Sequence, residues 1–352
     1  MMKLYIYKTT CISPQQTFGE NIDIETLRPS VDNKLYAIEP AYPQFKGNAL
    51  RRMSKSTRIG SGAALPLLAD AVQPNGIIIG TQVSGMEENG KFLNQIIEYN
   101  EDMLTPGSFV QGTPNTISSQ IALISNNKNY NLTHVHRGLA FENAVIDAAM
   151  LLNENPDSRY LLGGVDEISF NNYTLDTLAG WFKKEDCLNS DMYRSTTDGS
   201  LSGEAAAMFM VGNDKQNAIA QLKAITTIHS ADVDVIKARI KRFIEENLAE
   251  GEQPDLLLTG ENGDKRSLPF YTSCDSLFDK HTTIARFKHM CGEYPTASSF
   301  ALWLACNFVS GVLTMPQHMI KRKGEASSFK NILIYNTHKV GQHSCMLVRL
   351  PK

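Results

Sequence analysis

The stretch NLTHVHRGLAFENAVIDAAMLL, residues 131–152, constrains what this chain can fold into more than any other. A short lead-in from Asn131 to Val135 mixes polar and apolar residues, and His136, Arg137 and Gly138 break it. Beyond the glycine, Leu139, Ala140, Phe141, Ala144, Val145, Ile146, Ala148, Ala149 and Met150 form a run that is apolar nearly all round. A helix without a polar face belongs in the centre of a large protein. The pattern predicts a buried strand ending at Val135, a turn, and a buried helix starting within a residue or two of Arg137. Such a helix start offers free amides and partial positive charge, which suits a nucleophile. A cation there is disfavoured, so Arg137 is expected to have a carboxylate partner, with Glu142, Glu204 and Glu293 the candidates.

Strand and helix patterns alternate through the rest of the chain. Lys3–Thr9 alternates like a strand, and 21–48 is polar and irregular, with three prolines. A helix is predicted from Arg51 to about Val72, a short buried strand over Gly76–Gly80, a small-residue loop over Thr81–Met86 and a helix to Tyr99. Phe109–Asn115 reads as a loop before a helix start capped by Thr116 or Ser118. Tyr160–Ile168, Met208–Val211, Ile219–His229, Asp255–Leu258, Ile284–Phe287, Ile332–Tyr335 and Cys345–Leu350 read as strands. Val233–Ala249 and Ala297–Val312 read as helices. Buried apolar strands alternating with helices specify layered α/β architecture.

A chain of 352 residues can bury a large core. Its net charge of −3, without a basic run, excludes nucleic acid as an expected partner. It has no membrane-length apolar stretch and no leader pattern at Met1, so a cytoplasmic protein without a membrane span is expected. Cys11, Cys187, Cys274, Cys291, Cys306 and Cys345 are scattered with no C-x-x-C pair. Neither a metal site nor a disulfide framework is expected, and no cofactor; the thiols are expected reduced and mostly buried.

Several segments, in order, resemble the thiolase-fold β-ketoacyl-ACP synthases. Thr133–Gly138 is similar to the T-A-C-x-S-G turn that carries the nucleophilic cysteine, and Arg51-Arg52-Met53 opens a comparable helix. Gly76–Met86 resembles a G-x-x-x-G-t-x-x-G segment, and Phe109–Asn115 an F-x-x-x-x-P-N segment that lines the acyl pocket. Gly163-Gly164-Val165-Asp166 matches a G-G-x-D segment. The strongest match is Asp198–Val211, with Asp198, Gly199, Gly203, Glu204 and Ala205 on the family's D-G-x-x-x-G-E-[GA]-A pattern. The resemblance covers nearly the whole chain. It implies a five-layer α-β-α-β-α fold of two pseudo-repeated halves, here 1–215 and 216–352.

The same resemblance exposes a loss. Condensation needs a cysteine thiolate as acyl acceptor, two histidines and an oxyanion hole of backbone amides. Matching Thr133 and Gly138 puts Val135 on the cysteine position. DLLLTGENGD over 255–264 puts Thr259 and Gly260 on the first His-Gly, and Lys288–Glu293 keeps the lysine and glycine of K-x-x-x-G-H with Glu293 in place of histidine. Thr337–Ser344 resembles the late glycine-rich loop, with only Gly341 kept. All three triad positions, Val135, Thr259 and Glu293, therefore depart.

Two functions of different class follow. The first is a non-condensing, chain-length-factor-like subunit of fatty acid or polyketide-type biosynthesis that shapes the acyl tunnel. Its expected partners are an acyl carrier protein and an intact ketosynthase in a heterodimer, or a second copy in a homodimer. The second is an active acyltransferase, a 3-oxoacyl-ACP synthase with a rebuilt site using His134, His136, Cys291 or Glu293. For association, the strand 129–135 and apolar surface near Phe109 and Ile117 are expected at the interface. Glu293 is expected to face the turn and bond His134, His136 or Arg137, in a polar cluster that also draws on Lys288 and Glu204.

Overall fold

The computed structural model describes residues 4–43, 45, 50–69, 73–82, 84–326 and 328–351. In chain order the first half contains β1 (Leu4–Ile12), β2 (Lys34–Leu35), α1 (Lys55–Leu68), β3 (Gly76–Gly80), α2 (Met86–Glu98), α3 (Pro106–Gln111) and α4 (Thr116–Ser125). There follow β4 (Tyr130–His134), α5 (Ala140–Glu154), β5 (Arg159–Asp166), α6 (Phe170–Leu178), β6 (Ser202–Gly203) and β7 (Ala205–Gly212). The second half runs β8 (Ala220–His229), α7 (Val233–Asn247), β9 (Leu256–Thr259), α8 (Leu268–Asp275), β10 (Thr283–Arg286), α9 (Lys288–Cys291), α10 (Ala297–Val309), β11 (Ile320–Arg322), β12 (Asn331–His338) and β13 (Gln342–Arg349). Lys3, Asn48, Val72 and Val83, which belong to the segments read from sequence, lie outside the described residues.

Eleven strands are hydrogen-bonded in the order β11-β10-β9-β12-β13-β8-β1-β7-β5-β3-β4. Numbering the five main strands of each half in chain order gives 3-2-4-5-1 twice, once as β4-β3-β5-β7-β1 and once as β10-β9-β12-β13-β8. The two halves meet where β1 pairs with β8, over Leu4↔Leu222 to Ile6↔Ala220. This duplication resides in topology and not in the letters.

Layering follows from which faces are apolar. α5 and α10 lie in the largest core cluster, between the sheet portions of the two halves. Every residue of α10 is buried, including Trp303, as its all-round apolar sequence requires. α1 and α4 cover the other face of the first half, and α7 and α8 that of the second. The result is five layers, α-β-α-β-α. Among the described residues no helix is long and apolar enough to cross a membrane.

One expectation about the central stretch is corrected. β4 is not buried: it is the edge strand of the sheet, its first three residues are exposed, and it stops at His134. Val135 follows it and is 53 % exposed. A buried strand would need partners on both edges, whereas β4 bonds only to β3. The helical part agrees better, since one 3₁₀ turn over Arg137–Leu139 precedes α5. Phe109, Val110, Leu123, Leu132 and Met150 are also exposed apolar residues, whereas Ile117 belongs to the core rather than to this surface.

Candidate functional site: a polar cluster behind an empty nucleophile turn

The turn that joins β4 to α5 carries no nucleophile. From 134 to 141 the residues are His134, Val135, His136, Arg137, Gly138, Leu139, Ala140 and Phe141, none with a thiol or hydroxyl. The backbone has a tight bend at Arg137, which adopts φ +49°, a conformation unusual for a residue with a Cβ. Gly138 donates its amide to Gln342 Oε1 at 3.0 Å, so that helix-start donor is occupied by a side chain.

The turn's polar residues have local partners. His134 Nε2 lies 3.1 Å from Asp147 Oδ2, which also accepts from the Tyr130 hydroxyl. His136 Nδ1 pairs with the Asn143 side-chain amide at 2.7 Å. Arg137 is exposed and forms no ion pair with Glu142, Glu204 or Glu293. The expected carboxylate partner is thus corrected: Arg137 sits at a left-handed bend and is exposed, where a cation needs no buried counter-charge. Glu142 is buried in α5, accepts from Ser344 Oγ at 2.7 Å, and is pushed up by burial. Glu204 is also buried, bonding the amides of Ala37 and Ile168 and pairing with Lys55.

The interior is different. Gly292, at φ +75°, reverses the chain after the short α9 and brings Glu293 back onto Lys288. Lys288 Nζ donates to Glu293 Oε1 at 2.8 Å, and Asn262 Nδ2 donates to Glu293 Oε2 at 2.8 Å. The lysine is fully buried and the glutamate 8 % exposed. Burial alone would raise the Glu293 carboxyl, but the Lys288 ammonium and then His338 more than offset it and hold it at about 2. The expected bonds from Glu293 to His134, His136 or Arg137 are not made. Of the six residues expected to cluster, only Lys288 and Glu293 come together.

Two glycines explain why this carboxylate is so firmly placed. A Cβ on Gly203 would stand 1.8 Å from Cys291 O, and one on Gly292 would stand 2.6 Å from Gly203 Cα. The D-G-x-x-x-G-E segment and the K-x-x-x-G-E segment therefore pack backbone against backbone. Gly203 N donates to Glu293 O, and Glu293 N to Leu201 O. Cys291, in the same bend, is buried, and burial pushes its thiol up to about 12, which leaves it protonated and inert.

Sequence reasoning missed His338, at the end of β12. Its Nδ1 stands 3.6 Å from Glu293 Oε1, in ion-pair range but too long for a hydrogen bond. A Cβ on Gly138 would fall 2.2 Å from His338 Cβ and 2.7 Å from its Cδ2, so the imidazole lies against the first turn before α5. It is 4 % exposed, and neither ring nitrogen has a hydrogen-bond partner. The only signal was its place in the 337–344 segment, just beyond the buried strand that ends in Tyr335. Thr259 is fully buried at the end of β9, with its hydroxyl unpartnered.

A cavity of about 160 Å³ reaches this cluster, lined by Glu293, Asn262, Thr337 and His338 and, towards solvent, by Leu175 and Lys339. Glu167 also lines it; burial raises its carboxyl to about 7. Among the described residues no group of three or more histidine, cysteine, aspartate or glutamate side chains is placed to hold a metal ion. All six cysteines are free thiols.

The fold is that of solved ketosynthases. A β-ketoacyl synthase from Burkholderia phymatum superposes with a TM-score of 0.77 at 14 % identity, covering 100 % of both chains. A chain of the ketosynthase ApeO in complex with its chain length factor ApeC, from Xenorhabdus doucetiae, also gives 0.77, at 13 % identity over 99 % of this chain and 98 % of that one. A chain of AntDE:AntF, described as a type II PKS acyl-carrier protein in complex with its ketosynthase bound to the hexaketide, gives 0.73 at 14 % identity, covering 99 % and 100 %. No protein-family model and no curated protein matches the sequence. The chain thus has the thiolase-like fold of the ketosynthases, with a sequence far from theirs.

Proposed function

We propose that this protein is a non-condensing, ketosynthase-like subunit, comparable to a chain length factor, that associates through the β4 edge and contributes walls to an acyl-binding space. One observation carries this reading: no residue from 134 to 141 has a thiol or hydroxyl, so moving the match one residue back or up to six forward still supplies no acyl acceptor. The rebuilt-site alternative has little to draw on. His134 and His136 are engaged by Asp147 and Asn143, Glu293 by Lys288 and Asn262, and the Cys291 thiol is buried and protonated.

The association follows from exposed chemistry. An unpaired edge strand beside exposed apolar side chains is a combination that proteins cover. Leu132 and Val135 lie on or just after β4, and Phe109, Val110, Leu123 and Ile124 are exposed apolar residues of α3 and α4. A second copy or an intact ketosynthase seated there buries well over roughly 2,000 Å², as obligate interfaces do. An acyl carrier protein is the second partner this reading calls for.

The test combines light scattering at micromolar concentration with a malonyl- and acyl-carrier condensation assay. We expect a dimer, alone or with a ketosynthase, and no condensation by this chain alone. Turnover that survives removal of contaminating ketosynthase, or a stable monomer that takes no ketosynthase partner, overturns the proposal.

A further inference from the structure

We infer that His338, oriented by Glu293, is a general base that activates water for hydrolysis of a thioester held in the interior cavity. The inference rests on the preceding reading only for the thioester; the base itself rests on geometry. His338 is an almost fully buried imidazole, it lines a cavity, and neither nitrogen has a hydrogen-bond partner. A buried polar ring without a partner costs free energy unless a ligand or water completes it. The Glu293 carboxylate stands 3.6 Å from Nδ1 and is itself fixed by Lys288 and Asn262. With the Nδ1 proton turned towards that carboxylate, Nε2 carries the lone pair. Thr337, whose hydroxyl also lacks a partner, lines the same cavity and is the donor available to a developing oxyanion.

The turn offers no thiol or hydroxyl and the Cys291 thiol is buried and protonated, so the step takes water as the attacking group. The water oxygen bonds to the thioester carbonyl carbon while Nε2 takes one of its protons. Collapse of the tetrahedral adduct breaks the carbon–sulfur bond, and the imidazolium returns the proton to the departing thiolate. The products are a carboxylic acid and a free thiol, and no oxidant or metal is required. His338 is the catalytic residue, and Glu293 a positioning residue acting through it.

The experiment uses the full chain, alone, with the octanoyl thioester of N-acetylcysteamine as probe. Free thiol is followed over a concentration series, and intact mass is recorded during turnover. We expect saturable thiol release without an acyl adduct on the protein. His338→Gln lowers kcat by roughly 100-fold, the usual contribution of a positioned base, with KM little changed. Glu293→Gln lowers kcat less. Because it also unpairs Lys288, it is read only if thermal unfolding shows it folded, and His338→Gln decides otherwise. Release no faster than in buffer, release undiminished in His338→Gln, or a covalent acyl adduct overturns the inference. A dimer without hydrolysis sinks this inference alone, whereas hydrolysis in a protein that also condenses malonyl units sinks only the non-condensing reading.

Discussion

The turn before α5 and the cluster at the end of β12 meet where Gly138 packs on His338, and they treat their polar groups in opposite ways. At the turn, Val135 is half exposed, Arg137 is solvated, and each histidine bonds a neighbour on the adjoining helix. Inside, Lys288, Glu293, Asn262 and His338 remain polar and buried. The difference is one of solvation. An exposed residue such as Val135 can be exchanged at little cost, because water takes over any freed contacts. An interior charge cannot be dropped singly, because its partner is then left buried and unpaired. Outside, the turn offers no thiol or hydroxyl, and inside the polar groups form a mutually satisfied set with one group, His338, left open.

The largest effect that can break this contrast is removal of one member of the buried pair. Lys288→Met leaves the Glu293 carboxylate buried without its cation and costs about 3–5 kcal/mol. The pH dependence has a definite sign. In the native protein the Glu293 carboxyl is held at about 2, below its unfolded value of ~4.5. Its stabilising contribution is therefore full above ~4.5 and is lost as pH falls through about 2. Without Lys288, burial dominates and raises the carboxyl, so the variant recovers relative stability as the carboxyl protonates. Unfolding midpoints in denaturant should show a gap between native and Lys288→Met that narrows on acidification, and the double variant Lys288→Met with Glu293→Gln should regain part of the loss. A gap that is small at pH 7 would mean that the interior is as replaceable as the turn.

These particulars also show how far the letters alone reach. Layered α/β architecture was legible because α10 and the buried strands are apolar on all sides, whereas the five layers, and the places of Gly203 and Gly292, were legible only through the ketosynthase resemblance. The edge position of β4 was expected for association yet contradicted by the forecast of a buried strand. Five residues of mixed character do not distinguish an edge strand from an interior one. The partner of Glu293 was missed for a geometric reason. A residue five positions from Lys288 does not share its helical face, and only the left-handed bend at Gly292 folds the carboxylate back. His338 was missed because its setting depends on contact with Gly138, 200 positions earlier, which no local pattern encodes.

That contact gives the next test, of intermediate size. Gly138→Ala places a methyl group 2.2 Å from His338 Cβ, and either the imidazole or the first turn of the helix must move. Overpacking of this kind costs about 1–3 kcal/mol. Gly341→Ala is the matched control in the adjoining loop, where the new methyl would meet nothing nearer than 3.6 Å and should change stability by about 0.5 kcal/mol or less. Thermal unfolding of the two variants sharpens the contrast, since Gly138→Ala should also displace His338 and reduce thioester hydrolysis. Equal midpoints for both would show that the turn and the interior cluster are not mechanically joined.

The smallest expected effect is that of Val135→Cys, which places a thiol at the position the resemblance matches to the nucleophile but changes nothing around it. Position 135 is 53 % exposed, so exchanging valine for cysteine should alter stability by no more than about 0.5 kcal/mol. The new thiol is solvated and should titrate near the ordinary ~8.5, leaving it mostly protonated at neutral pH. The positions matched to the two histidines remain Thr259 and Glu293, and the Gly138 amide stays committed to Gln342. Groups that act as one catalytic unit are strongly non-additive, so restoring one of three returns almost none of the rate. The measurement is consumption of malonyl carrier by the purified variant, with intact mass recorded in parallel. The native chain, treated identically, reports any adduct on the six cysteines already present, so a mass gain confined to the variant reports the new thiol. Slow adduct formation without malonyl consumption is the expected outcome. Condensation by this single variant would mean that the interior still contains the machinery for which only the nucleophile was lacking, and the contrast between the two regions would collapse.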